Sequence, residues 1–72
     1  MPKVPVLNSK EVIKLLEANG FVLERTNGSH RLYFNDKTKK TAIVPFHNKD
    51  LPIGTLLEIL RQAGIAKDEI LK

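Results

Sequence analysis

The sequence predicts an α+β domain in the order α-β-β-β-α, with two helices covering one face of a three-stranded antiparallel sheet. Three observations carry this expectation. Apolar residues recur at helical spacing near both ends of the chain. An Asn-Gly pair, Asn27-Gly28, separates two short runs rich in apolar and β-branched residues. A proline, Pro45, sits late in a third such run. At 72 residues the chain reads as one small domain, 1–72, opened by an extended arm over 1–7 that contains Pro2 and Pro5.

The first helix is expected from Ser9 to about Asn19. Asn8 or Ser9 can cap it, and Asn8 with Glu11 three residues on forms the pattern of a capping box. Val12, Leu15, Leu16 and Asn19 follow at helical spacing, Ile13 widens the apolar side, and Gly20 stands where a left-handed terminator belongs. The run FVLERT, 21–26, makes the first strand. Asn27-Gly28 predicts a type I′ hairpin, whose central residues both need positive φ. SHRLYFN then forms the second strand, DKTKK a polar turn, and TAIVPF the third strand. Pro45 has no N–H to give to a ladder, so the third strand is expected at an edge, or to end there.

After the loop HNKDLP, Pro52 suits the first turn of a second helix. Leu56, Ile59, Leu60 and Ala63 lie on one stripe, Leu57 broadens it, and Gly64 ends it. The tail AKDEILK is expected to add a short C-terminal helix that returns Ile70 and Leu71 to the core. Together these elements predict a double-stranded-RNA-binding-like fold whose second sheet face stays open to a ligand.

Composition removes several classes of function. With 42% hydrophobic and 28% charged residues the chain is a globular protein rather than a disordered one. It has no cysteine, which excludes disulfide scaffolds and thiolate metal sites. No apolar run is long enough for a membrane span and no export signal opens the chain, so the expected compartment is the cytoplasm, without membrane attachment. The formal net charge of +4 favours a polyanionic partner. The excess is concentrated in 24–50, where Arg25, Arg31, Lys37, Lys39, Lys40 and Lys49 outnumber Glu24, Asp36 and Asp50.

Within that basic stretch lies the segment NGSHRLYF, Asn27 to Phe34. A histidine can take and give a proton near neutrality, which is what internal cleavage of RNA requires. A base deprotonates the 2′-hydroxyl, the oxygen attacks phosphorus, and an acid protonates the departing 5′-oxygen. His30 is the candidate for one of these transfers. Arg31, Arg25 and Lys49 are candidate phosphate contacts, and Ser29 with the amides around Gly28 can orient a phosphate. His47 is a candidate helper. Two histidines without a carboxylate at ligand spacing make no metal site, and no cofactor motif is present.

The residues alone leave a second reading of His30, as a strand residue half-buried in its hairpin. Strand alternation places His30, Leu32 and Phe34 on one face and Ser29, Arg31, Tyr33 and Asn35 on the other. The first set is the more apolar, which turns His30 towards the helices and weighs against a catalytic role. A noncatalytic RNA-binding module is therefore the alternative function.

The combination of "NGF", "GSHR" followed by an aromatic, "VPFH" and "LPIGTLLEILRQAGI" resembles the HicA, or YcfA-like, toxin family over roughly Ser9 to Ile65. The resemblance implies a ribosome-independent mRNA interferase, the toxin half of a type II toxin–antitoxin pair, and the internal transfer described above needs no metal. It places the catalytic histidine of the Gly-Ser-His motif at His30, with Gly28 and Ser29 in the same motif. His47 follows Val-Pro as in the family, where it has no firm role. The implied partners are single-stranded mRNA and a HicB-type antitoxin, with a monomer when free and a hetero-oligomer when bound.

Overall fold

Both helices owe their limits to local chemistry visible in the chain. The computed structural model describes residues 6–46 and 49–66. It contains α1 (Ser9–Ala18), β1 (Phe21–Asn27), β2 (His30–Asn35), β3 (Lys40–Pro45) and α2 (Ile53–Ala63), the expected order. At the start of α1 the Glu11 N–H donates to Asn8 Oδ1 at 2.9 Å and the Asn8 N–H donates to Glu11 Oε1 at 3.0 Å. That closes the expected capping box. The helix ends at Asn19, and Gly20 follows with φ +93°. Pro52 directly precedes α2 and its carbonyl accepts from the Leu56 N–H, while Gly64 closes the helix at φ +71°. No helix among the described residues is long and apolar enough to cross a membrane. The expected short helix of residues 66–72 falls, beyond Ala66, outside the described residues, as do the first five residues of the arm.

The sheet is antiparallel in the order β1-β2-β3, so β2 is central. As expected, β3 is an edge strand and ends at Pro45. Its exposed edge is partly closed by α2, because the Ile43 N–H donates to Gln62 Oε1 at 3.1 Å. The turn from β2 to β3 is held by Asn35, whose Oδ1 accepts from the N–H groups of Lys37 and Thr38. Its Nδ2 donates to the Asn19 carbonyl at 2.9 Å. One buried side chain thus ties the end of α1 to the end of β2 and to the turn beyond.

Both helices lie on one face of the sheet. The core joins Val12, Ile13 and Leu16 of α1 to Leu56, Ile59, Leu60 and Ala63 of α2, over Phe21, Tyr33, Ala42 and Val44 of the strands. Tyr33 is 2% exposed and stands opposite Ala42, so the largest core side chain in the sheet faces the smallest. This corrects the sequence expectation for β2. The face carrying Tyr33 and Asn35 is the buried one, and His30, Leu32 and Phe34 lie on the open side. Counting apolar residues within one strand failed because burial depends on what the neighbouring strands place beside it.

Two further links position the loop end of the sheet. Ser9 is fully buried, and its hydroxyl donates to the Pro45 carbonyl at 2.7 Å. The Leu51 N–H donates to the Leu7 carbonyl at 2.8 Å, beside a single bridge between Asn8 and Asp50. The chain entering α1 and the chain approaching α2 are therefore laced together next to the end of β3. On α2 itself, the Arg61 guanidinium chelates Glu58 and holds its carboxyl below the ordinary range. The pair is exposed, and such pairs add little to stability.

Asn35→Ala removes three hydrogen bonds and leaves the Asn19 carbonyl without its donor. It is expected to lower unfolding free energy by about 2–3 kcal/mol, read from the urea midpoint at unchanged slope.

Candidate functional site

The open face of the sheet is shaped by two local irregularities. The first is the hairpin turn. Asn27 pairs with His30, so the two loop residues are Gly28 and Ser29 rather than Asn27 and Gly28. Gly28 has φ +62°, and Lys39 is the only non-glycine residue with positive φ among the described residues. Glycine at the first central position followed by a residue at negative φ is the pattern of a type II′ turn, not the expected type I′. A type I′ loop would pair Ser29 with Thr26. The observed loop brings His30 into the ladder, directly across from Asn27 on one side and Pro45 on the other.

The second irregularity is a β-bulge in β1. Leu23 pairs with Tyr33 and Arg25 with Leu32, so Glu24 is an extra residue on the β1 side. Strict alternation from Val22 would put Arg25 on the helix side. The inserted residue instead returns it to the open face, opposite Leu32. Nothing in FVLERT signals this bulge, and it decides where the cation goes.

Together these features form a cleft of about 570 Å³ lined by Arg25, Thr26, Asn27, His30, Leu32 and Ile43. All three strands contribute. Leu32 and Ile43 are a directly opposed pair that forms an apolar floor. Arg25 lies across from Leu32 on β1, and the exposed His30 lies across from Asn27 on the same open face. Among the described residues, Arg25 is the one formally charged side chain in the lining and no carboxylate lines the cleft.

The other candidates are distributed differently. Gly28 and Ser29 are exposed in the turn beside the cleft, and the Ser29 carbonyl accepts the Phe46 N–H at 2.6 Å. That bond carries the β2–β3 pairing one step past Pro45. Arg31 alternates to the helix side, where its guanidinium carbon lies 3.8 Å from the centroid of the Phe46 ring. It fastens the segment leaving β3 and does not join His30. Lys49 is exposed in the connection to α2 and does not line the cleft. His47 lies outside the described residues. The basic character of the middle segment is likewise divided. Lys39 pairs with Asp36 at 3.0 Å within its turn, and the stem of Lys40 lies against Gly64 at the C-terminus of α2, where a cation is favourable.

Asn27, Leu32 and Ile43 were not singled out by sequence reasoning. Asn27 read as a turn residue, Leu32 as part of a face turned towards the helices, and Ile43 only as part of the third strand. Only the pairing register shows that they surround His30.

The turn assignment gives a direct test. A Cβ on Gly28 meets nothing within 4 Å, so Gly28→Ala suffers only from its backbone conformation and is expected to cost about 1–2 kcal/mol. Asn27→Ala is expected to cost less than about 0.5 kcal/mol; an equal or larger loss would restore the type I′ turn. Arg31→Ala is expected to lower stability by about 0.5–2 kcal/mol through loss of the stack on Phe46. Thermal unfolding of the three variants beside wild type measures all of these effects.

Residues 9–65 match the family model for the HicA toxin of bacterial toxin–antitoxin systems. No curated protein matches the chain.

Proposed function

The chain belongs to the HicA toxin family, and on that premise we propose that it is an endoribonuclease that cleaves mRNA, with His30 as the proton-transfer group. The observation that carries this reading is the shared cleft. His30 of β2 and Arg25 of β1 line one open cleft, and among the described residues no carboxylate lines it to repel a phosphodiester. A cation facing a solvent-accessible imidazole is the minimum that internal transfer of a phosphoryl group needs.

The reaction follows from that pair. Arg25 holds the scissile phosphate and offsets the charge that builds on its oxygens. His30 either takes the proton from the 2′-hydroxyl or gives one to the departing 5′-oxygen. The O2′–P bond forms as the P–O5′ bond breaks, so the chain is cut without an added nucleophile. The complementary proton transfer falls to water in the open cleft or to His47. The scheme uses no metal and no cofactor. Gly28 and Ser29 hold His30 at the mouth of the turn, and their exposed amide and hydroxyl groups are available to a flanking phosphate. Lys49 adds long-range attraction for the polyanion rather than a contact at the cut.

The toxin is a cytoplasmic monomer when free and is silenced in a hetero-oligomer with a HicB-type antitoxin. Its substrate is single-stranded mRNA.

Because His30 is exposed on the open face of the sheet, His30→Ala is expected to change stability by less than about 0.5 kcal/mol. The same variant is expected to lose RNA cleavage by at least about 100-fold. Cleavage of a long single-stranded RNA in EDTA, with circular dichroism on both proteins, measures the two effects together. Equal cleavage by wild type and variant would sink the assignment, and binding without cleavage by wild type would make the protein a noncatalytic RNA-binding module.

A further inference from the structure

The cleft is larger than a histidine and an arginine need in order to hold one phosphate. Its volume of about 570 Å³ falls in the range of sites that enclose a small organic group. Its floor is also of the wrong chemistry for a phosphate. Leu32 and Ile43 face each other across β2 and β3, and Ile43 remains 45% exposed. The adjacent rung continues the apolar strip, with Phe34 beside Val22, itself 61% exposed. A folded chain of this size that leaves an aliphatic and aromatic strip uncovered beside a polar cluster presents a binding surface. At the turn end of the floor, Asn27 and His30 stand across from each other. The Asn27 amide offers a donor and an acceptor in one plane.

We propose that this cleft is a nucleobase subsite, in which the base of one nucleotide at the cut lies flat over Leu32 and Ile43 with its polar edge towards Asn27. The proposal rests on the ribonuclease reading and extends it. A nucleotide is the ligand whose parts match the lining, in which Arg25, Leu32 and Ile43 lie across the three strands and Asn27 faces His30 beside them. Its phosphate meets Arg25 and its ribose lies by His30. Its planar ring covers the aliphatic floor, and the ring edge finds the amide. His30 and Leu32 are two residues apart on the same strand face, about 7 Å along the chain, a distance that one nucleotide bridges between backbone and base. The absence of carboxylates from the lining among the described residues suits an anionic strand. Stacking over an apolar platform is tolerant of base identity, and the Asn27 amide is the element able to add preference.

The test uses the noncleaving His30→Ala protein with methyl and amide NMR signals assigned. The probes are a short single-stranded RNA carrying all four bases and a ribose-phosphate chain of the same length and charge without bases. The Leu32 and Ile43 methyl signals and the Asn27 side-chain amide are expected to move with the RNA and to stay in place with the abasic chain. Affinity for the abasic chain is expected to fall at least about tenfold, a difference of 1.4 kcal/mol. Arg25→Ala should weaken both probes alike, whereas Ile43→Asp should weaken the RNA alone and leave the circular dichroism spectrum unchanged. Equal shifts and equal affinity for the two probes overturn the subsite and leave the cleft with a phosphate site only. Unmoved Leu32 and Ile43 signals with both probes also overturn it, and leave this face to a protein partner. The catalytic reading is checked separately, by wild-type cleavage of the same RNA, so either idea can fail while the other survives.

Discussion

Burial of Tyr33 under the two helices is the constraint on which the rest of the structure depends. In a strand, side chains alternate strictly, so seating one residue in the core assigns every other residue of that strand to a face. Tyr33 fits because Ala42 lies opposite and leaves room for the ring, while Leu16, Leu56, Ile59 and Leu60 close over the same side. Asn35, two residues on, becomes the buried link between α1 and the β2–β3 turn. His30, Leu32 and Phe34 are then left on the open face. The exposure of the histidine is thus a consequence of packing three and five residues along the strand from it.

Two departures from regular sheet geometry convert that exposed face into a site. The Gly28-Ser29 turn brings His30 into register with Asn27, and the extra residue at Glu24 turns Arg25 towards the same surface. Bulges are common where a strand must re-aim a side chain near a functional surface. Here one bulge moves a cation from the helix side of the sheet to the face that carries His30. Arg31 shows the other outcome. It keeps regular alternation, lies on the helix side, and is engaged by the Phe46 ring. Two arginines that look equivalent in the sequence therefore do different work, one facing the cleft and one fastening the chain that leaves β3.

The positive charge of the middle segment divides in the same way. Lys39 is held by Asp36, Lys40 lies at the C-terminus of α2, and Arg31 stacks. A cluster of like charges in a sequence is thus a weak guide to a charged surface, because neighbouring carboxylates, helix ends and aromatic rings each compete for the cations. Among the described residues the cleft keeps a single cation beside an apolar floor, and this is the arrangement on which the proposed nucleotide subsite rests.

The sequence by itself determined the elements and their order. Capping boxes, glycine terminators and proline at a strand edge act over four or five residues, and all the information they need lies within that span. Asn8 with Glu11, Gly20, Pro45 and Gly64 were legible for this reason, and the histidine in its Gly-Ser-His setting was recognisable as a motif. Tertiary structure alone decided which face of β2 is covered, which pair of residues forms the turn, and which arginine meets His30. Those outcomes depend on the volume opposite Tyr33, on the register between strands and on one inserted residue in β1. Each is a relation between paired strands or packed elements rather than a property of one segment, and no local pattern of apolar and polar residues encodes it.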